Sequence, residues 1–167
     1  MSVVRLLLVS AALSAWIFFS TPMPAAEKGK YSNIEIQRFD VASGVEFPAD
    51  WLATMMDEVV RHITETKRFK EVLRQGEKPN QAAPTLKLTG TVVQYKAGNR
   101  AVRYMVGFGA GKTKIVANVK FVDAATRNAL LEKKVDGKVW IGFAGGDSVG
   151  ATRGLAKELA QLARKSF

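Results

Sequence analysis

Cysteine is absent from the 167 residues. That excludes disulfides, thiolate metal sites, a cysteine nucleophile and the lipidated cysteine of a bacterial lipoprotein. Histidine occurs once, as His62, which removes multi-histidine metal sites and most histidine-based catalysis. Acidic residues are scarce: 15 Asp and Glu stand against 25 Lys and Arg, a formal charge of +10. No apolar run reaches the ~20 residues that a membrane-spanning helix needs. What remains is an ordinary globular balance, 47% hydrophobic and 24% charged. Wholesale disorder is excluded, and the length suits one domain or one domain behind a leader.

The leader is legible. Met1 to Arg5 carries one positive charge, and Leu6 to Phe19 is apolar apart from Ser10 and Ser14. Small or helix-breaking residues follow, from Ser20 to Ala26. A charged start, a short apolar middle and a small-residue exit describe a secretory signal peptide. The competing reading, an uncleaved anchor, fits less well because Pro22 and Pro24 stop a helix from lengthening. The expected organisation is a signal peptide over 1–26 and a single domain over 27–167. Cleavage there removes only the charge of Arg5 and leaves +9. The expected location is the periplasm or cell envelope, and the exported domain must hold itself together by burial alone.

Along the rest of the chain, Tyr31 to Phe39 alternates as a strand, with Ile34 and Ile36 on one face. Asp40 to Phe47 reads as a loop. Pro48 and Asp50 open a helix, proline by its preset φ and aspartate as its cap. Leu52, Met55, Met56, Val59, Val60 and Ile63 form the apolar stripe of that helix. Phe69 to Leu73 suggests a short edge strand, and Arg74 to Pro84 a surface loop. Thr85 to Tyr95 and Thr113 to Val122 are longer strands, the second with Ile115, Ala117, Val119 and Phe121 on one face. A turn over Asp123 to Asn128 leads into Ala129 to Phe143, the partner of an antiparallel hairpin. Ser148 to Ser166 is a closing helix striped by Leu155, Leu159 and Leu162. This order predicts an α+β fold: a mixed, largely antiparallel sheet of four to five strands with two helices on one face.

Four signals bear on chemistry. The run from Gly107 to Thr113 ends like a phosphate-binding loop, but Val106 stands where its first glycine belongs, and a β-patterned run follows instead of a helix. Between Lys96 and Lys114 lie five cations (Lys96, Arg100, Arg103, Lys112, Lys114), no acid, four glycines and the apolar Met105, Val106 and Phe108. Glycine lets backbone amides approach an anion, and cations beside apolar residues suit the interface of an anionic membrane. The candidate binding residues for an anionic protein or lipid surface are therefore Lys96, Arg100, Arg103, Phe108, Lys112 and Lys114; the competing reading is a plain solvated loop.

The second signal, Gly146-Asp147-Ser148-Val149-Gly150, spells the elbow of serine hydrolases. Its base histidine should follow the serine, and His62 lies far upstream. Helix capping by Asp147 or Ser148 explains it better. Third, Gly142, Gly146, Gly150 and Gly154 recur every four residues. They allow close packing of the last helix on the sheet, or a self-association face. Fourth, His62, with no second histidine or thiol nearby, reads as a half-buried structural residue rather than a metal ligand. No catalytic residue, metal or cofactor is expected. A pI near 10 suits nucleic acid, but the leader directs the chain away from it, and envelope surfaces offer anionic partners instead.

The stretch Arg103-Tyr-Met-Val-Gly-Phe-Gly-Ala-Gly-Lys112, followed by a strand and Val122-Asp123-Ala-Ala-Thr126, resembles the uncharacterised bacterial envelope proteins called domain of unknown function 4410. The resemblance covers roughly residues 30 to 167, and the glycine stretch is its most specific part. It implies export and a compact α+β module, with no activity and no catalytic residues. Where relatives place Gly after Thr126 this chain has Arg127-Asn128, so a glycine turn is not carried over. Many relatives resemble lipoproteins; without a cysteine, that tether is not carried over either.

Overall fold

The computed structural model describes residues 28–98, 113–137 and 148–167, with the side chains of Ser148 and Val149 excepted. The expected leader, residues 1–26, lies outside them. The described elements are β1 (Asn33–Ile36), β2 (Asp40–Val41), α1 (Ala49–Glu65), β3 (Glu71–Arg74), β4 (Thr85–Lys96), β5 (Lys114–Asp123), β6 (Ala129–Gly137) and α2 (Ser148–Ser166). The architecture is α+β. One mixed sheet in the order β3-β1-β4-β5-β6 carries both helices on one face, with β2 paired to β4.

The two halves of the sheet arise differently. β4, β5 and β6 are consecutive antiparallel neighbours, with a short turn over 124–128 between β5 and β6 and a longer connection over 97–113 between β4 and β5. β1, by contrast, lies parallel to both β3 and β4. The parallel β1–β3 pairing requires a crossover, which α1 supplies. The expected loop at Asp40 is partly strand. Asp40 and Val41 pair with Thr91 and Val92, and the Ala42 N–H donates to the Val92 carbonyl at 2.9 Å. β1 and β2 are thus one lane of the sheet, broken where Phe39 turns inward. The helix start also differs from expectation. Pro48 is the cap residue, with no side-chain cap bond, and Asp50 sits in the first turn, where its charge suits the positive helix end.

Apolar alternation decides which face is covered. Ile115, Ala117, Val119 and Phe121 of β5 are at most 1% exposed. They meet Leu52, Met55, Val59 and Ile63 of α1 and Leu155 and Leu159 of α2 in one cluster. On the other face, Glu35, Lys87, Thr89, Thr91, Asn118, Lys120, Glu132 and Lys134 are half-exposed or exposed. Ion pairs cross it from Lys87 to Glu35 (3.2 Å) and from Lys120 to Glu132 (2.8 Å), contacts that add little stability at a surface.

Two glycines set distances in the core. A Cβ on Gly90 would lie 2.5 Å from the Phe39 ring, and one on Gly137 would lie 2.6 Å from the Ala151 carbonyl oxygen. The close approach of the last helix to the sheet therefore depends on Gly137 of β6. At the β5–β6 turn, the Asp123 N–H donates to the Asn128 carbonyl (3.0 Å) and the Arg127 N–H to the Asp123 carbonyl (2.8 Å). Arg127 holds φ at +62°, a left-handed conformation that glycine adopts without the Cβ penalty. Gly137→Ala should destabilise the fold by about 1–3 kcal/mol, because helix backbone cannot yield cheaply. Arg127→Gly should stabilise it by about 0.5–1 kcal/mol. Urea denaturation of both variants checks the two signs.

Candidate functional site

β4 ends, β5 begins and β6 ends at the same edge of the molecule. Lys96 stands opposite Lys114, and Ile115 opposite Gly137. Both helices start there as well: Tyr95 packs edge-on against Trp51 of the first turn of α1 (centroids 5.6 Å), and Gly137 abuts Ala151 of α2. The two helices run parallel, since Glu58 meets Arg153 while His62, Glu65 and Thr66 share a cavity with Lys157, Gln161 and Arg164. One end of the fold thus gathers Lys96, Lys114 and two helix N-termini, and both undescribed internal segments join the fold there.

Of the residues anticipated from sequence, Lys96 and Lys114 are described, exposed and directly opposed. Like charges in that position repel; the Asp136 carboxylate, 3.7 Å from the Lys114 ammonium, offsets part of this. Arg100, Arg103, Phe108 and Lys112 lie outside the described residues, as do Gly142 and Gly146. Thr113 is buried, and its hydroxyl accepts from the Gly98 N–H at 3.2 Å. A strand follows Thr113, so the helix that a phosphate-binding loop requires is not there.

Sequence reasoning missed an aromatic group at this end. Phe47, Trp51 and Tyr95 are each half-buried, with Phe47 edge-on to Tyr95 at 5.1 Å. An irregularity in pairing between Val92 and Gln94 returns Tyr95 to the helix side, and burial pushes its phenol above the ordinary pKa. The available signal was the four-residue spacing of Phe47 and Trp51 across a helix start. Half-exposed rings at the same end as exposed lysines can take a partner that is apolar in one part and anionic in another. Glu46 and Asp50, also exposed near the start of α1, limit how cationic this end is.

His62 is nearly buried at the α1–α2 contact, as a structural histidine should be. Its Nδ1 lies 2.8 Å from Glu65, its Nε2 3.4 Å from Glu58 and 3.0 Å from the Arg61 guanidinium. It shares a cavity with Lys157, Ala160 and Gln161, nine or more residues along α2 from Ser148, at least about 13 Å at the helical rise. A Ser148–His62 hydrolytic pair is therefore out of reach. Among the described residues no group of three or more His, Asp or Glu could hold a metal.

The opposite end is a polar clasp. Asp123 is 7% exposed and accepts from the Tyr31 hydroxyl at 2.8 Å and from the N–H groups of Ala125 and Thr126 at 2.8 and 3.0 Å. Phe167 packs on Tyr31 and Phe121, and its backbone oxygen accepts from the Gly29 N–H at 2.6 Å and from Arg68.

The model of the family described as Domain of unknown function (DUF4410) matches residues 42–146. No curated protein matches the chain. Among solved structures, the PelC dodecamer from Paraburkholderia phytofirmans aligns with a TM-score of 0.54 at 14% identity, covering 83% of this chain and 92% of that one. The hypothetical protein CT253 from Chlamydia trachomatis aligns with a TM-score of 0.52 at 9% identity, covering 81% and 97%. At such identities the likeness is one of fold. No helix among the described residues is long and apolar enough to cross a membrane.

The Thr126 N–H is the largest influence that holds the Asp123 carboxyl down at about 2, followed by the Tyr31 hydroxyl; burial opposes them. A carboxyl depressed in the folded state contributes stability that is complete above its unfolded pKa, near 4. Stability should therefore fall as pH drops from about 4 to about 2, and Asp123→Asn should flatten that part of the profile. Denaturation midpoints measured across the acid range check this.

Proposed function

We propose, from the premise that the chain belongs to the family called domain of unknown function 4410, that it is an exported, non-enzymatic binding module of the cell envelope. Its contact surface is the basic glycine-rich segment from Lys96 to Lys114, and its partner is anionic, either lipid or acidic protein. Arg100, Arg103, Phe108 and Lys112 supply the contacts between the two flanking lysines. The observation that carries the reading is the convergence at one end of the fold. Lys96 and Lys114 face each other across adjacent strands on the open face, and the half-buried rings of Phe47, Trp51 and Tyr95 stand at the same end on the helix face. An end that gathers cations and aromatic rings suits an anionic interface, where rings sit at headgroup depth and ammonium groups meet phosphate.

The segment from Leu6 to Phe19 supports export, and the absence of cysteine argues against a lipid tether. A second reading is self-association through the glycine-spaced start of α2. Its support is that PelC, which shares the fold, forms a dodecamer, and that Gly150 and Gly154 are only half-buried.

Co-sedimentation with anionic and with neutral vesicles, at low and at high salt, tests the first reading. The expected result is binding to anionic vesicles alone, weakened by salt. Replacing Arg100, Arg103 and Lys112 together by Ala should lower it about tenfold to a hundredfold, since each basic side chain near such a surface contributes about 1 kcal/mol. Equal binding to both vesicles, or an unaffected triple variant, rejects the lipid partner.

A further inference from the structure

Among the described residues the sheet ends at β3 on one side and at β6 on the other, and the two edges differ. β3 has four residues, and side chains of the segment around it occupy backbone donors there: the Arg74 N–H donates to Glu77 at 2.7 Å and the Asn80 N–H to Glu71 at 3.0 Å. β6 has nine residues and, among the described residues, pairs only with β5. Alternate residues of such an edge turn their N–H and C=O groups outward, ready for another strand. A cavity of about 190 Å³ runs along this edge, between Lys133, Lys134, Val135 and Asp136 of the strand and Glu158 and Leu162 of α2.

We propose that β6 pairs antiparallel with β6 of a second copy of this chain, about a two-fold axis at Lys133. The occupant follows from charge complementarity. The side chains of β6 on the open face alternate in sign: Glu132, Lys134, Asp136. Lys134 has no ion-pair partner among the described residues. With Lys133 on the axis, Glu132 faces the partner's Lys134, and Lys134 faces the partner's Glu132. On the helix face, Leu131 meets the partner's Val135. The two Lys133 side chains oppose each other on the axis, a like-charge contact that Glu158, which lines the cavity there, offsets in part.

Two of the neighbouring registers are worse. An axis at Glu132 opposes two glutamates. An axis at Lys134 opposes two lysines and sets Glu132 against the partner's Asp136. An axis at Val135 also brings opposite charges together, Lys134 against the partner's Asp136; the two registers are separated by Glu132→Lys, which can restore a Lys134→Glu variant only about the Lys133 axis. Like charges directly opposed across strands are destabilising and opposite charges stabilising, so the pattern rejects the Glu132 and Lys134 axes.

The proposal takes its occupant, a second copy, from the self-association reading and replaces the glycine-spaced helix with a sheet edge. Sedimentation equilibrium of the purified protein, from low micromolar to several hundred micromolar, tests it. The expected result is a dimer. Lys134→Glu, at an exposed position, should raise its dissociation constant at least tenfold, and Lys134→Glu combined with Glu132→Lys should restore it. Unchanged circular dichroism and thermal midpoints confirm that each variant is folded. A strict monomer overturns both this pairing and the self-association reading. An oligomer that ignores the charge reversals but is lost on Gly150→Leu overturns the edge pairing alone. An oligomer insensitive to all of these variants overturns both proposed surfaces.

Discussion

The structure depends on a single apolar layer between the sheet and two parallel helices. Ile115, Ala117, Val119 and Phe121 of β5 form its floor, and Met55, Val59, Leu155 and Leu159 press on it from above. Fully burying a large aliphatic or aromatic side chain is worth about 1.5–3 kcal/mol, and nothing covalent supplements it in a chain without cysteine. This explains why backbone approaches matter so much. Gly90 makes room for the Phe39 ring, and Gly137 lets α2 settle on β6. A side chain at either position would lift part of the lid from the floor.

A consequence of that layer is a molecule with two unlike ends. Because the helices run parallel, their N-termini and the junctions of β4, β5 and β6 with the rest of the chain share one end. Their C-termini share the other, where Asp123, Tyr31 and Phe167 are bound together. Two carboxylate oxygens, a phenol and three backbone N–H groups close that end in a compact set of bonds. The first end carries exposed lysines and half-buried rings instead. The division places buried, hydrogen-bonded polar groups at one end and exposed charge at the other.

The two faces of the sheet differ in the same way. The covered face is apolar and continuous, whereas the open face holds alternating charges from Glu35 through Lys87 and Lys120 to Glu132. Surface ion pairs of this kind stabilise little, but they oppose indiscriminate pairing at a free edge, where a strand of uniform character would aggregate. On β6 the signs alternate along the open face, Glu132, Lys134, Asp136, so pairing there depends on register.

Strand alternation at Thr113 to Val122 and the helical stripes of α1 and α2 were legible in the sequence, because residue periods of 2 and 3.6 survive any tertiary arrangement. So was the cysteine-free reliance on burial, and so was the family, through its glycine stretch. The two-residue strand at Asp40 was not legible, since its pairing with Thr91 and Val92 joins positions some fifty residues apart. The ends were not legible either: Lys96, Lys114, Phe47 and Trp51 are scattered in sequence and meet only when a crossover helix sets β1 parallel to its neighbours. Periodicity reports the direction in which each side chain points relative to its own element. Which elements become neighbours is decided by long-range burial and hydrogen bonding, and that information exists only in the folded chain.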